Sequence, residues 1–128
     1  MGKLTPIPPT GFPEVLRINR NKVNVKVVVA NGKEGEHHIF IAPSVNVSGY
    51  GHSKQEAFES FEENMELFCN DLMNLSVRDR ETELRKLGFK RERLQHKNFS
   101  KSYVDKDGVL QNFEAGTLET NILDTTCA

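Results

Sequence analysis

The segment from Ser53 to Leu75 predicts one long amphipathic helix, and this helix constrains the fold more than any other part of the sequence. Its apolar positions recur at spacings of three and four residues: Phe58, Phe61, Met65, Phe68, Leu72 and Leu75. Glutamates lie on other faces: Glu59, Glu62, Glu63 and Glu66. Ser53 is a good N-cap, and Glu56 completes a capping box with it. Because an apolar stripe of this kind is stable only when covered, we expect the helix to lie on a sheet.

The first two strands of that sheet are predicted between residues 22 and 42. In residues 22–30 apolar and polar side chains alternate, as in a half-buried strand, with these valines facing the core: Val23, Val25, Val27 and Val29. Asn31-Gly32 follows, with Gly35 three residues later, and this pattern predicts a hairpin. The second strand is then expected from about Glu36 to Ala42.

A short third strand is expected just before the helix, with Val45 and Val47 inward and Gly49-Tyr50-Gly51 turning the chain. A further strand is expected around Phe89 to Gln95. The predicted fold class is therefore α+β, a small antiparallel sheet in the order β-β-β-α-β with one long amphipathic helix packed on one face.

The flanking segments are predicted to be less regular. Residues 1–21 are expected to form an extended N-terminal arm, because their prolines forbid a regular helix and interrupt strand ladders. Residues 22–104 are expected to form the α+β domain. Residues 105–128 are expected to be a C-terminal hairpin or mobile tail, with Ser102–Val104 and Val109–Phe113 as the hairpin strands.

A second helix is expected from about Arg78 to Leu87, where Gly88 has the position of a C-cap glycine. We expect the chain after the long helix to pack on the core through three apolar side chains: Leu84, Leu87 and Phe89.

Composition limits the class of protein. The chain has 128 residues and a net charge of −1, which fits one domain and excludes a uniformly basic nucleic-acid-binding protein. No apolar stretch reaches the roughly 18 residues of a membrane-spanning helix, and the proline-containing start does not resemble a secretory signal. Cys69 and Cys127 make no disulfide framework, so a cytoplasmic location is expected.

The order of the predicted strands and helix resembles the HicB-like family of small bacterial proteins, which have a partial RNase H fold. The likeness covers roughly Lys22 to Asp71. It is carried by Ile39-Phe40-Ile41-Ala42-Pro43-Ser44-Val45-Asn46-Val47-Ser48-Gly49-Tyr50-Gly51, similar to that family's second and third strands. The helix start Ser53-Lys54-Gln55-Glu56-Ala57-Phe58 is also similar.

The resemblance implies a non-catalytic binding protein. Many HicB-like proteins are antitoxins that bind and block HicA, a small RNA-cleaving toxin, and the family fold lacks the carboxylate cluster of true RNase H. The expected partner is thus a small HicA-like toxin, covered sterically by the sheet edge or the helix. Unpaired edge strands of a short sheet also favour a homo-oligomer.

A basic run in the C-terminal half supports an alternative. Seven basic residues fall between Arg85 and Lys101, with aromatic side chains among them. Basic groups contact phosphates and aromatic rings stack on bases, so a stand-alone nucleic-acid-binding protein could use this stretch. The candidate nucleic-acid or partner contacts are Lys90, Arg91, Arg93, His96, Lys97 and Lys101. The other interpretation is a solvated segment that pairs with the acidic helix or the acidic tail.

No catalytic, metal or cofactor site is predicted. His37 and His38 are adjacent in a strand and therefore point to opposite faces, which is wrong for gripping one ion. The glutamates of the long helix are interpreted as a solvated polar face. Cys69 is interpreted as a buried, inert thiol, and the turn at 49–54 as capping rather than phosphate binding.

Overall fold

The computed structural model describes residues 3–7, 14–19, 22–91, 98–101 and 119–127. These form one antiparallel sheet with two helices, so the predicted α+β class is confirmed. The elements are β1 (Lys3–Thr5), β2 (Glu14–Asn19), β3 (Lys22–Glu34), β4 (His37–Ala42), β5 (Val47–Gly51), α1 (Lys54–Asn74), α2 (Val77–Lys86), β6 (Lys90–Arg91), β7 (Asn98–Lys101) and β8 (Glu119–Cys127).

The long strand β3 is the centre of the sheet. Along one edge it pairs with β8, from Val23 opposite Cys127 to Asn31 opposite Glu119. Along the other edge it pairs first with β2 and then with β4, the latter ladder beginning at Ala30. β1 continues the sheet beyond β8, while β7 and β6 continue it beyond β2 and β5 beyond β4. β3 therefore holds together segments from both ends of the chain.

The alternation predicted for β3 is confirmed from Lys22 to Val27, whereas Val28 and Ala30, at the outward positions, are also buried. Its inward valines are all fully buried: Val23, Val25, Val27 and Val29. The strand is longer than predicted, however: the hairpin with β4 is confirmed, but its turn does not include Asn31-Gly32. Both residues belong to the ladder with β4, and the chain reverses at Gly35-Glu36 instead. Gly35 has φ of 61°, a backbone conformation that glycine adopts without a steric penalty.

The third strand begins later than predicted. Residues 43–46 form a turn, with Asn46 at φ of 56°, and β5 then includes the Gly49-Tyr50-Gly51 segment that was expected to be a turn. Val45 and Val47 are buried as expected. The glycines are required because α1 crosses β5 closely. A Cβ on Gly49 would overlap the backbone of Phe61, and one on Gly51 would lie 2.6 Å from Cβ of Glu56.

Helix α1 packs on β4 and β5 with a buried face slightly rotated from the predicted stripe. The buried positions are Ala57, Phe61, Met65, Cys69 and Leu72. Phe58 and Phe68 are only partly buried, and Leu75 is exposed. Ser53 caps the helix by accepting a hydrogen bond from the backbone N–H of Glu56, as predicted. Leu84 and Phe89 are fully buried and Leu87 packs against the same core, which confirms their predicted role.

Both ends of the chain contribute strands that the sequence did not predict. β1 and β2 lie in the segment expected to be an extended arm, and Leu16 and Ile18 of β2 belong to the core. β8 lies where a mobile end was expected, with Leu123 buried. Of the strand expected at Phe89 to Gln95, β6 covers Lys90–Arg91. The rest of that strand and the hairpin expected between 102 and 113 fall outside the described residues.

Candidate binding site

Four glutamates of α1 form an acidic face on the side of the helix that borders β8: Glu59, Glu62, Glu63 and Glu66. Their spacing of three, one and three residues places them on adjacent turns, because residues three and four apart are neighbours on a helix surface. Glu59, Glu63 and Glu66 are exposed, and Glu62 is half-buried. The sequence predicted these side chains as a polar face but gave no indication of the strand beside them.

The acidic face borders an open pocket of about 310 Å³. Phe61 and Met65 of the core reach its lining from the helix, and Leu123 and Thr125 do so from β8. Cys127, the last residue of β8, also lines it. The pocket therefore combines an apolar interior with a carboxylate rim, an arrangement that suits a cationic side chain with a long aliphatic stem.

Charge around the acidic face is negative because the sequence supplies few compensating cations. Residues 53–76 contain six acidic residues and only one basic residue, Lys54. Lys54 forms an ion pair with Glu119 at 3.2 Å, so its positive charge compensates a carboxylate at the start of β8. Gln55 donates a hydrogen bond to Glu59 at 3.1 Å. Carboxylates grouped in this way attract basic surfaces over distances of about 10 Å at moderate salt.

Cys127 lines the pocket, and Cys69 belongs to the same core cluster as Cys127. Cys69 of α1 is fully buried, and Cys127 of β8 is 6% exposed. Hydrogen bonding with Cys127 and burial raise the pKa of the Cys69 thiol, whereas hydrogen bonding with Cys69 lowers the pKa of Cys127. Cys69 is buried as predicted, but the sequence did not indicate that Cys127 contacts it.

The predicted basic contacts are only partly within the described residues. Lys90 and Arg91 form β6, pairing with Ser100 and Phe99, and Lys101 ends β7 opposite Glu14. Arg93, His96 and Lys97 lie outside the described residues. That the six residues form a single contact surface therefore stays a prediction.

A second group of cations lies on the face of the sheet away from α1, and we call Arg17, Lys22 and Lys26 the outer basic face. All three side chains are exposed. Arg17 is opposite Asn24 in the β2–β3 ladder, and Lys26 is opposite Val15. The predicted alternation in residues 22–30 had Lys22 and Lys26 facing outward. Arg17 was expected in the N-terminal arm, so its place beside them was not predicted.

His37 and His38 do not form a joint site. His37 is exposed and lies against His52, with the ring centroids 4.9 Å apart, and the Tyr50 ring is 6.0 Å away. His37 and Tyr50 also line a shallow pocket of about 430 Å³. In the part of the chain that the structure describes, no cluster of three or more His, Cys, Asp or Glu side chains could hold a metal ion.

Across the described ranges, neither helix has the length and apolar character required to cross a bilayer. Comparison with family models, curated proteins and solved structures yields no match to the chain. The likeness to the HicB-like family therefore rests on the sequence pattern of residues 22–71 alone.

Proposed function

We propose that the protein binds a small basic protein through the acidic face of α1, and that this partner is an RNA-cleaving toxin of the HicA-like class. The observation that carries the proposal is the row of four glutamates on α1, which rims an open pocket of about 310 Å³ next to β8. The antitoxin class follows from the sequence resemblance, and the acidic face is the surface that would contact the toxin.

Charge complementarity supports this assignment. An enzyme that cleaves RNA needs cationic side chains to hold phosphates, so its substrate-binding surface is basic. A row of carboxylates competes for those same cations. The bound protein would then exclude RNA both by occupying the surface and by neutralising its charge, and this inhibition requires no catalytic residue.

The pocket adds a way to anchor such a partner. A lysine or arginine entering it would place its charge among Glu59, Glu63 and Glu66. Buried cationic anchors of this kind contribute much of the binding energy at protein interfaces, while charges at the rim mainly accelerate association.

The test is coexpression with the neighbouring gene. If a gene beside this one encodes a basic protein of under about one hundred residues, the purified pair should form a complex, and adding this chain should stop the partner from cleaving RNA in vitro. Stable copurification with loss of cleavage supports the proposal. A basic neighbour that is not bound, or that cleaves RNA at an undiminished rate in the presence of excess chain, contradicts it.

Direct binding of nucleic acid is the second candidate, favoured by the exposed cations of the outer basic face. A single-stranded RNA bound to this face would lose affinity steeply with rising salt. Replacing Lys22 and Lys26 by alanine should then weaken retention on heparin, as should replacing Lys90, Arg91, Arg93 and Lys97 of the basic run. Equal retention of variant and wild type counts against this candidate.

The proposal includes a homo-oligomer and a cytoplasmic location. Among the described strands, β5 pairs on one edge only, with β4. Asn64 of α1 donates a hydrogen bond to the backbone carbonyl of Ser48 at 2.7 Å, which covers part of the strand. Sedimentation of the purified chain at several concentrations tests the oligomer, and a monomer throughout contradicts it.

A further inference from the structure

We propose that His37 and His52 bind a divalent transition-metal ion of the kind that prefers imidazole ligands, such as Zn²⁺ or Ni²⁺. His37 begins β4 and His52 directly follows β5, so the sheet brings the two residues together. Their ring centroids are 4.9 Å apart, and both side chains are exposed. Because the two residues lie on different strands, the pair does not form one of the short sequence motifs by which metal sites are recognised.

The register of the sheet places the two histidines directly across from each other. The β4–β5 ladder ends with His38 opposite Gly51, and the next pair in the same register is His37 with His52. Directly opposed side chains of an antiparallel pair share one face, with their Cβ atoms about 4.5–5.5 Å apart. The pairing of the backbones therefore sets the proximity of the two rings.

The spacing of the rings fits one ion between them. A metal held about 2.0–2.1 Å from one nitrogen of each ring lies about 3.2 Å from each ring centroid. Centroids 4.9 Å apart then correspond to a nitrogen–metal–nitrogen angle of about 100°, close to tetrahedral. The ring planes are inclined by 33°, and each exposed imidazole can turn about χ2 to aim a nitrogen at the ion. No third His, Cys, Asp or Glu within the described ranges completes the group, so water takes the other positions.

Neighbouring contacts restrain both histidines before any ion is bound. The backbone N–H of His52 donates a hydrogen bond to Oε2 of Glu56 at 3.0 Å, and the adjacent Ser53 caps α1. The ring of Tyr50 lies edge-on to the ring of His37, with the centroids 6.0 Å apart. Because part of the required order exists in the free protein, binding of the ion costs less conformational entropy.

Glu34 supplies a carboxylate beside the two histidines. It is opposite His37 in the β3–β4 ladder, so Glu34, His37 and His52 form one row across three neighbouring segments. Glu34 and His37 also line the same shallow pocket. Histidines that bind a metal usually donate their other ring N–H to a carboxylate or a carbonyl, which fixes the ring and makes it a better ligand. Glu34 is the positioning residue for His37 in this site, and its negative charge favours a cation.

The histidine pair is separate from the acidic face of α1. Phe40, three residues after His37 in β4, packs on the α1 side, where its ring centroid is 5.3 Å from that of Phe58. Because strand residues alternate, His37 belongs to the opposite face of the sheet. Metal binding therefore stands or falls independently of the proposed contact with a toxin.

The direct test is calorimetric titration of the full chain, without a histidine tag, with Ni²⁺ and with Zn²⁺. We expect one ion per chain, and H37A and H52A should each weaken binding by more than roughly 10-fold. H38A is the matched control and should bind as the wild type does, because His38 adjoins His37 but belongs to the opposite face of β4. No saturable binding, or equal affinity of H37A, H52A and the wild type, would overturn the proposal.

A second measurement uses the wild-type chain and so does not depend on the folding of a variant. Proton–nitrogen correlation spectra of the imidazole rings are recorded with and without Zn²⁺. One ring nitrogen of His37 and one of His52 should shift on saturation, while the ring of His38 keeps its resonances. Unchanged resonances of His37 and His52 at saturating Zn²⁺ contradict the site. E34Q should weaken Zn²⁺ binding roughly 10-fold and shift the remaining N–H resonance of His37, and the absence of both effects contradicts the role of Glu34.

Discussion

The carboxylate of Glu14 accepts a hydrogen bond from the backbone N–H of Val28 at 3.0 Å, at the point where β3 changes partners. The ladder with β2 ends at Lys26 and the ladder with β4 begins at Ala30, so Val28 lies between the two. The hydroxyl of Ser44 donates to the same oxygen at 2.6 Å. Glu14 and Ser44 are both buried. Together they bridge the fork in the sheet, the point at which β2 and β4 diverge along β3.

Replacing Glu14 by alanine should lower the free energy of unfolding by about 2–4 kcal/mol, because a buried N–H and a buried hydroxyl both lose their acceptor. Urea denaturation measures the change. E14Q keeps an acceptor oxygen and should cost less, and E36A is the matched control because Glu36 is exposed in the β3–β4 turn. If E14A is as stable as E36A, the carboxylate does not stabilise the fork.

Gly49 should tolerate no side chain. In G49A the new methyl group would overlap the backbone of Phe61, so either α1 or β5 must move, at a cost of about 1–3 kcal/mol. Chemical denaturation provides the value. S48A is the control, since Ser48 precedes it on β5 with an exposed side chain and should change stability little. Equal stability of the two variants would show that α1 does not cross β5 at this distance.

Ser53 should stabilise the start of α1 more than the neighbouring ion pair does. S53A removes the acceptor for the Glu56 N–H, a loss of about 1 kcal/mol. K54A removes a solvent-exposed ion pair with Glu119, and such pairs contribute at most about 1 kcal/mol and often nothing measurable. The two variants are compared by urea denaturation at low and high salt. A greater loss for K54A at both salt concentrations contradicts the capping role.

The two thiols should differ in reactivity in the reduced protein. Because its pKa is lowered by the hydrogen bond from Cys69, Cys127 should be alkylated by iodoacetamide at a lower pH than an ordinary thiol, and well before Cys69. Peptide mapping after timed labelling measures the order. The predicted directions of the two pKa shifts would be contradicted if Cys69 were labelled first, or if both thiols reacted together only at alkaline pH.

The parts of the fold that sequence predicted well are those set by local pattern. The apolar spacing in α1 and the alternation of Val23 to Val29 are each readable within one element. The acidic face was likewise predictable as a polar surface, since its position follows from the same helical period. The hairpin was predicted correctly, but its turn lies at Gly35-Glu36, because the ladder with β4 extends through Asn31-Gly32.

The pocket could not be predicted because its second wall comes from a distant segment. Asn24 and Thr126, hydrogen-bonded across β3 and β8, are 102 residues apart in the chain. The two-residue alternation of side chains in β8 does not indicate which strand β8 pairs with, and neither do its threonines. The contact of Cys127 with Cys69 depends on that pairing. Long-range pairing is decided by the whole core rather than by any local motif.

The measurement that tests the central claim most directly is the affinity of this protein for the proposed partner, a small basic RNA-cleaving toxin, with and without the acidic face. Glu59, Glu63 and Glu66 are changed together to glutamine, and the matched control changes Asp79 and Glu83 of α2 to their amides. We predict binding weakened roughly 10- to 100-fold by the first set and nearly unchanged by the second. Equal affinity of both variants and the wild type would contradict a binding role for the acidic face.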